Sequence, residues 1–318
     1  MKSIGILRFT AGLAVVLASL CAASVNAAPF VGHQNLVTAV AFNPAGGLVA
    51  TASFDRTVRL WSVSDGRSLG EFVDPAQVFA VAFAPDGRML CAAGVDRVIR
   101  LWNLSDGVLA KSFTGHVATV RGLAFAPDGS AIASIGIGGE LRVWNVATGA
   151  TRFTVQAHPE IGYAVAFSRD GQIIASSGAE GAIRLWSTTD GSAVGMLAGH
   201  VGAVRSLAFG HEGKLVSGGL DKTVRVWSVA QRSQLLQSTG HRGVVKSVVF
   251  SPDGKTIISV SGDGTVKVWD SRGGELLKTL GGPEEVDGDS GVYGVAVAPD
   301  GARIIAVGRR YIEVWPLP

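Results

Sequence analysis

The sequence predicts an all-β domain assembled from seven copies of one four-stranded antiparallel unit. Three observations predict it. All seven tryptophans, Trp61, Trp102, Trp144, Trp186, Trp227, Trp269 and Trp315, recur at spacings of 41, 42, 42, 41, 42 and 46 residues, a regularity that composition alone does not produce. A tight turn recurs in register with them as Pro85-Asp86-Gly87, Pro127-Asp128-Gly129, Pro252-Asp253-Gly254 and Pro299-Asp300-Gly301. Its variants are Pro44-Ala45-Gly46, Arg169-Asp170-Gly171 and His211-Glu212-Gly213. Between these marks lie short apolar, β-branched runs with no stretch long enough for a helix.

The stretch from Gly240 to Asp270 shows the unit most plainly. Val244–Phe250, Thr256–Ser261 and Thr265–Trp269 read as strands, each closed by a cluster of Gly, Pro, Asp or Ser. The breaks Pro252-Asp253-Gly254 and Gly262-Asp263-Gly264 force successive strands to reverse and pair as hairpins. Leu276, Leu277 and Leu280 supply a fourth strand after the Arg272-Gly273-Gly274 turn. A sheet of about forty residues cannot bury both faces alone, so it needs a neighbour on either side.

Residues 1–27 stand outside the repeat. Lys2 and Arg8 precede an apolar run from Phe9 to Cys21, and Val25-Asn26-Ala27 places small residues before a cleavage point. This is the pattern of a signal peptide, and about thirteen apolar residues fall short of the roughly twenty a membrane span needs. The mature chain is expected to begin near Ala28, in the periplasm or outside the cell, with no membrane span. Leu20 before Cys21 argues against lipid attachment.

Cleavage leaves 291 of the 318 residues, and losing Lys2 and Arg8 lowers the formal charge from +3 to +1. No basic block then remains to argue for nucleic acid. One of the two cysteines leaves with the leader, so no intrachain disulfide is possible. Cys91 occupies a slot that other units fill with Ala50, Ala133, Ala175, Val216, Ile258 or Ile304, which makes it a buried small hydrophobe. Seven units account for residues 28–318 as one domain without a linker.

At these residues the chain resembles the WD40 repeat family, in an exported bacterial form. The resemblance rests on Gly-His 27 or 28 positions before Trp, Asp six before it, and Trp-Asp at the close of the unit, as in Trp269-Asp270. It implies a seven-bladed β-propeller. Short strands in identical units independently favour radial closure, which removes exposed sheet edges. In such propellers the last blade borrows a strand from the other terminus, so the ring is expected to close through Pro29 to Val31.

The family also implies a buried polar chain in which the turn Asp accepts from the loop His, the His reaches a Ser or Thr, and that hydroxyl meets the Trp indole. Three units carry the full set: His33, Thr51, Asp55 and Trp61; His200, Ser217, Asp221 and Trp227; His241, Ser259, Asp263 and Trp269. The third unit departs with Gly138 and the fourth with Glu180. The second has Asp74-Pro75 and Ala92, and the seventh Ile305 and Arg309, so these two blades are expected to be the loosest.

Read as lists, His200, Ser217 and Asp221 imitate a hydrolytic triad, but a catalytic triad repeated around a ring is not a sensible enzyme, and the structural role is preferred. The innermost strands contribute no His, Asp or Glu to the axis, and their third positions (Ala39, Ala80, Gly122, Ala164, Ser206, Ser247, Gly294) are all small. Neither cysteine begins a C-x-x-C-H and there is no phosphate-binding glycine loop, so neither cofactor nor metal is expected. The expected function is therefore a non-catalytic scaffold for a protein or peptide, working as a monomer or within a hetero-complex. The alternative is a propeller enzyme of lactonase-like type or an accessory of a periplasmic c-type cytochrome.

The expected binding face follows from the second position of every innermost strand: Thr38, Phe79, Arg121, Tyr163, Arg205, Lys246 and Tyr293. Three aromatics and three cations in seven slots are the side chains that dominate interface hot spots. Beside them, the residue before the turn Asp is apolar in Phe54, Val95, Ile137 and Leu220, which adds a hydrophobic collar. The longer last unit adds Glu284, Glu285, Asp287 and Asp289 to a loop on the same side, to screen the cations or select partner charge.

Overall fold

The computed structural model describes residues 30–281, 291–309 and 312–317. The expected leader and the four acids Glu284, Glu285, Asp287 and Asp289 lie outside these described residues. Turn chemistry sets the strand ends, and every described element is a β-strand. Blade one is β1 (Val37–Phe42), β2 (Leu48–Ser53), β3 (Thr57–Ser62) and β4 (Ser68–Val73). Blade two is β5 (Val78–Phe83), β6 (Met89–Gly94), β7 (Ile99–Asn103) and β8 (Leu109–Phe113). Blade three is β9 (Val120–Phe125), β10 (Ala131–Gly136), β11 (Glu140–Asn145) and β12 (Thr151–Gln156). Blade four is β13 (Gly162–Phe167), β14 (Ile173–Gly178), β15 (Ile183–Ser187) and β16 (Ala193–Leu197). Blade five is β17 (Val204–Phe209), β18 (Lys214–Gly219), β19 (Val224–Ser228) and β20 (Ser233–Ser238). Blade six is β21 (Val245–Phe250), β22 (Thr256–Ser261), β23 (Thr265–Asp270) and β24 (Leu276–Gly281). Blade seven is β25 (Val292–Val297), β26 (Arg303–Gly308) and β27 (Ile312–Pro316).

Each sheet is an antiparallel meander running outward from the axis, so β1, β5, β9, β13, β17, β21 and β25 form the hub. The turn glycines carry this geometry: Gly87 and Gly129 hold φ of 71° and 72°, a region that costs glycine little. No described helix is long and apolar enough to cross a membrane.

The core is divided into seven clusters, each shared by two neighbouring blades. Ala50, Ala52 and Val58 of blade one, for example, pack on Val78, Leu90 and Trp102 of blade two. The last cluster joins blade one to blade seven through Phe30, Val37, Val49, Trp61 and Val63 against Ile305, Val307 and Ile312. Every sheet thus buries its faces on its neighbours, as the isolated unit could not. Cys91 is fully buried in one such cluster, and burial pushes its thiol pKa well up, as expected of a packing residue.

The closing segment falls only partly within the described residues. Among the described residues blade seven has three strands, and Phe30 and Val31 pair with none. Of the expected closing segment, Pro29 lies outside the described residues. Phe30 is 4% exposed and edge-on to Trp61 at 5.7 Å, inside the cluster that holds Ile312. Arg303 reaches from blade seven to the Val63 carbonyl of blade one at 3.2 Å, and a β-bridge links Leu36 to Arg309. Among the described residues the joint between blades seven and one is one hydrophobic cluster.

Candidate partner-binding face

The hub positions are as crowded as their small residues imply. A Cβ on Gly122 would lie 3.0 Å from the Tyr163 carbonyl oxygen, and one on Gly294 would lie 3.3 Å from the Ala39 Cα. The residue before each of them behaves differently. In all seven hub strands the pairing register slips at the second position, so that Val37 pairs with Ser53 while Ala39 pairs with Ala52. The skipped residues are Thr38, Phe79, Arg121, Tyr163, Arg205, Lys246 and Tyr293. A bulge takes its extra residue out of the ladder and re-aims its side chain. All seven line one cavity of about 190 Å³ at the top end of the axis.

Within that mouth the aromatics and cations are paired across neighbouring blades. Arg121 lies over Phe79 at 4.2 Å, Arg205 over Tyr163 at 4.1 Å, and the Lys246 ammonium over Tyr293 at 3.3 Å. Such stacking fixes the plane of a guanidinium and is worth about 0.5–2 kcal/mol. Thr38 faces the ring as well, but its hydroxyl donates to the Ala52 and Val78 carbonyls. Burial lowers the pKa of Arg121 and outweighs the opposing effect of Tyr163, while the charge of Arg205 adds a smaller lowering.

The collar residues are unevenly placed. Phe54 stands edge-on to Phe79 with centroids 5.0 Å apart, and so backs one of the residues that line the mouth. Val95, Ile137 and Leu220 are exposed, Leu220 at 48%. Val117 and Val201, each directly after a loop histidine, are 70% and 76% exposed and extend the apolar surface on blades three and five. The residue following Gly-His was the signal that could have found them.

The polar chains hold this face in place. In blade one the His33 Nδ1 meets Asp55 at 2.8 Å, its Nε2 meets Thr51 at 2.7 Å, and the Trp61 indole N–H donates to Thr51 at 2.8 Å. Blade five repeats this with His200, Asp221, Ser217 and Trp227, and blade six with His241, Asp263, Ser259 and Trp269. An indole only donates, so the hydroxyl oxygen accepts from Trp, its proton goes to His Nε2, and Nδ1–H donates to the carboxylate. Burial tends to raise Asp55, but hydrogen bonds from His33, Thr57 and the Gln34 amide outweigh it and hold it below the usual carboxylate range. The five hydroxyls, Thr51, Ser134, Ser176, Ser217 and Ser259, are 0% exposed, so no substrate reaches them.

Blades three and four depart less than their sequences suggest. His158 meets Glu180 at 2.7 Å and Ser176 at 2.9 Å, while Trp186 donates to Ser176 at 2.9 Å, so the longer acid completes the chain. His116 and Trp144 both engage Ser134, and Glu140 stands 3.7 Å from His116 in place of the missing Asp. Blade two solves the same problem with charge. Asp74 fills the histidine slot, is 1% exposed, and pairs with Arg100 at 2.7 Å, which also holds Asp96 at 2.6 Å. The expected weak edge at Asp74 is therefore an ion-paired joint.

Among the described residues no three of His, Cys, Asp and Glu lie where they could hold a metal ion. The family model of the WD domain, G-beta repeat, matches this chain in six copies, at residues 25–62, 66–103, 107–145, 149–187, 191–228 and 233–270. Ribosome assembly protein 4 of Saccharomyces cerevisiae (strain ATCC 204508 / S288c) is 46% identical over 41 residues, which is 13% of this chain and 8% of that protein. Among solved structures, that of U3-55K has a TM-score of 0.83 at 22% identity, covering 91% of this chain and 98% of that one. This likeness is one of fold.

Proposed function

The chain belongs to the WD40 repeat family, and on that premise we propose that it is a non-catalytic scaffold of an exported compartment, taking a protein or peptide partner on its top face. The observation that carries this reading is the ring of seven bulge residues, which places three cation–aromatic pairs around one mouth beside an exposed apolar patch. Interface hot spots are built from such groups, large rigid rings and arginines with apolar surroundings. The hydroxyl–imidazole–carboxylate sets that could imitate an enzyme are sealed and fully engaged. Export to the periplasm or the exterior rests on the leader pattern of residues 1–27. The partner then binds a monomeric propeller, or one already within a hetero-complex.

Affinity capture from the native exported fraction tests the face. Immobilised wild type is expected to retain a partner that the Tyr163→Ala/Arg205→Glu variant loses by more than tenfold, with the melting temperature moved by only a few degrees. Charge reversal at Asp86 and Asp128, in turns at the other end of the hub strands, is expected to leave capture unchanged. Capture retained by the first variant, or lost by the second, would move the site off the top face.

A further inference from the structure

Arg121 and Arg205 are the cations in the mouth that the rest of the molecule does not use. A guanidinium carries five N–H donors in a planar fork and no acceptor. Neither Arg121 nor Arg205 makes a hydrogen bond or an ion pair among the described residues, and the Nε of each is buried with no acceptor. The arginines two strands further out behave otherwise, since Arg59, Arg100, Arg142 and Arg225 all meet carboxylates. With Nε sealed, the remaining donors of both forks are the Nη groups at the cavity they line. Each fork is held flat on an aromatic ring, at 4.2 Å on Phe79 and 4.1 Å on Tyr163. Arg205 raises the electrostatic cost of the charge on Arg121, a cost that an anion between them would remove.

Resting on the top-face reading above, we propose that the mouth is a socket for one carboxylate of an acidic peptide segment, gripped between Arg121 and Arg205. The cavity is about 190 Å³, below the roughly 300–1,000 Å³ typical of small-molecule pockets, so it suits a side chain or a chain terminus rather than a metabolite. Guanidinium and carboxylate match bidentately, and such charge-assisted bonds are about twice as strong as neutral ones. Around the mouth Arg56, Arg97, Lys222 and Arg242 are exposed and in no ion pair among the described residues, which favours a segment with several acids. The exposed Val117, Val201 and Leu220 add a wall for apolar residues flanking the central acid.

The test is selection of a peptide phage library on the immobilised full-length protein, followed by fluorescence anisotropy with the labelled selected peptides. Acidic peptides are expected, with one Asp or Glu whose change to Asn or Gln weakens binding to the wild type by about 10–100-fold, the scale of a charge-assisted bond. That arm needs no protein variant. Arg121→Gln with Arg205→Gln is expected to weaken the same peptides at least as much, while Arg152→Gln, in a groove near the opposite face, leaves them unchanged. Neutral or basic peptides that the double variant nevertheless loses would overturn the carboxylate socket and leave the top-face reading standing. Peptides indifferent to every top-face change would overturn both. An absence of enriched peptides, together with labelled oligouridine that binds the wild type and is lost in the double variant, would overturn the socket in favour of a nucleic-acid ligand stacked on the rings.

Discussion

Arg100→Ala is expected to destabilise the propeller by about 3–5 kcal/mol, the cost of removing one partner from a buried pair and leaving the other charge alone. Asp74 is the group left behind. Its side chain is 0% exposed, and apart from Arg100 it is met by the Ala76 amide. Burial already raises its pKa, and nearby Asp96 raises it further. In the variant, protonation limits the damage, so the loss is largest at pH 8 and shrinks as the solution is acidified toward pH 5. Arg100→Lys keeps a charge but cannot hold Asp74 and Asp96 with two separate nitrogens, and it should fall between wild type and alanine. Urea melts at the two pH values check this. Wild-type stability for Arg100→Ala would mean that Asp74 needs no counter-charge, and blade two would be as loose as its missing histidine suggests.

Mild acid is the second large effect. Burial lowers the pKa of His116 from 6.5 to about 4, and it also lowers those of His158, His200 and His241. A histidine whose folded pKa lies below its unfolded value binds fewer protons when folded. Its contribution is complete above pH 6.5 and is lost as the pH falls from there toward the folded value. For His116 the window from 6.5 to about 4 corresponds to roughly 3 kcal/mol. The carboxylates Asp55, Asp221 and Asp263 are held below 3.8, so they retain their charge through this window and contribute to loss only under stronger acid. Stability measured by urea melts is therefore expected to begin falling near pH 6.5 and to lose several kcal/mol by pH 4.5. His116→Gln should flatten that slope by about one proton. A wild-type profile flat between pH 7 and pH 5 would contradict this, since it would mean that these imidazoles take up protons in the fold as readily as in the unfolded chain.

Much of the architecture was legible because it is periodic. Trp61 through Trp315 mark the blades, the small residues from Ala39 to Gly294 mark a hub, and His33, His200 and His241 mark complete polar chains. What was not legible depends on space. The alignment grouped Phe79, Arg121 and Tyr163, but only the bulges show why the second position leaves the ladder and enters the mouth. Pairing Arg121 with Phe79 and Arg205 with Tyr163 needs the stagger of neighbouring blades, which no single repeat contains. Arg100 stands in the slot that Arg59, Arg142, Arg184 and Arg225 fill in other units, so the repeat does not single it out. Its bond to Asp74 follows from an acid in a histidine slot, and the meaning of that substitution appears only when the two side chains meet. Glu180 departs from the Asp of the complete units, yet with its extra methylene it still reaches His158.

The central claim is that a partner seats on the end of the ring where the seven bulge side chains converge. Site-specific photo-cross-linking tests it most directly, with a benzophenone amino acid placed either at Leu220, on the exposed top patch, or at Asp86, in a turn at the opposite end of a hub strand. The account predicts a covalent adduct with the native partner from position 220 and none from position 86. An adduct from position 86 with none from position 220 would contradict it.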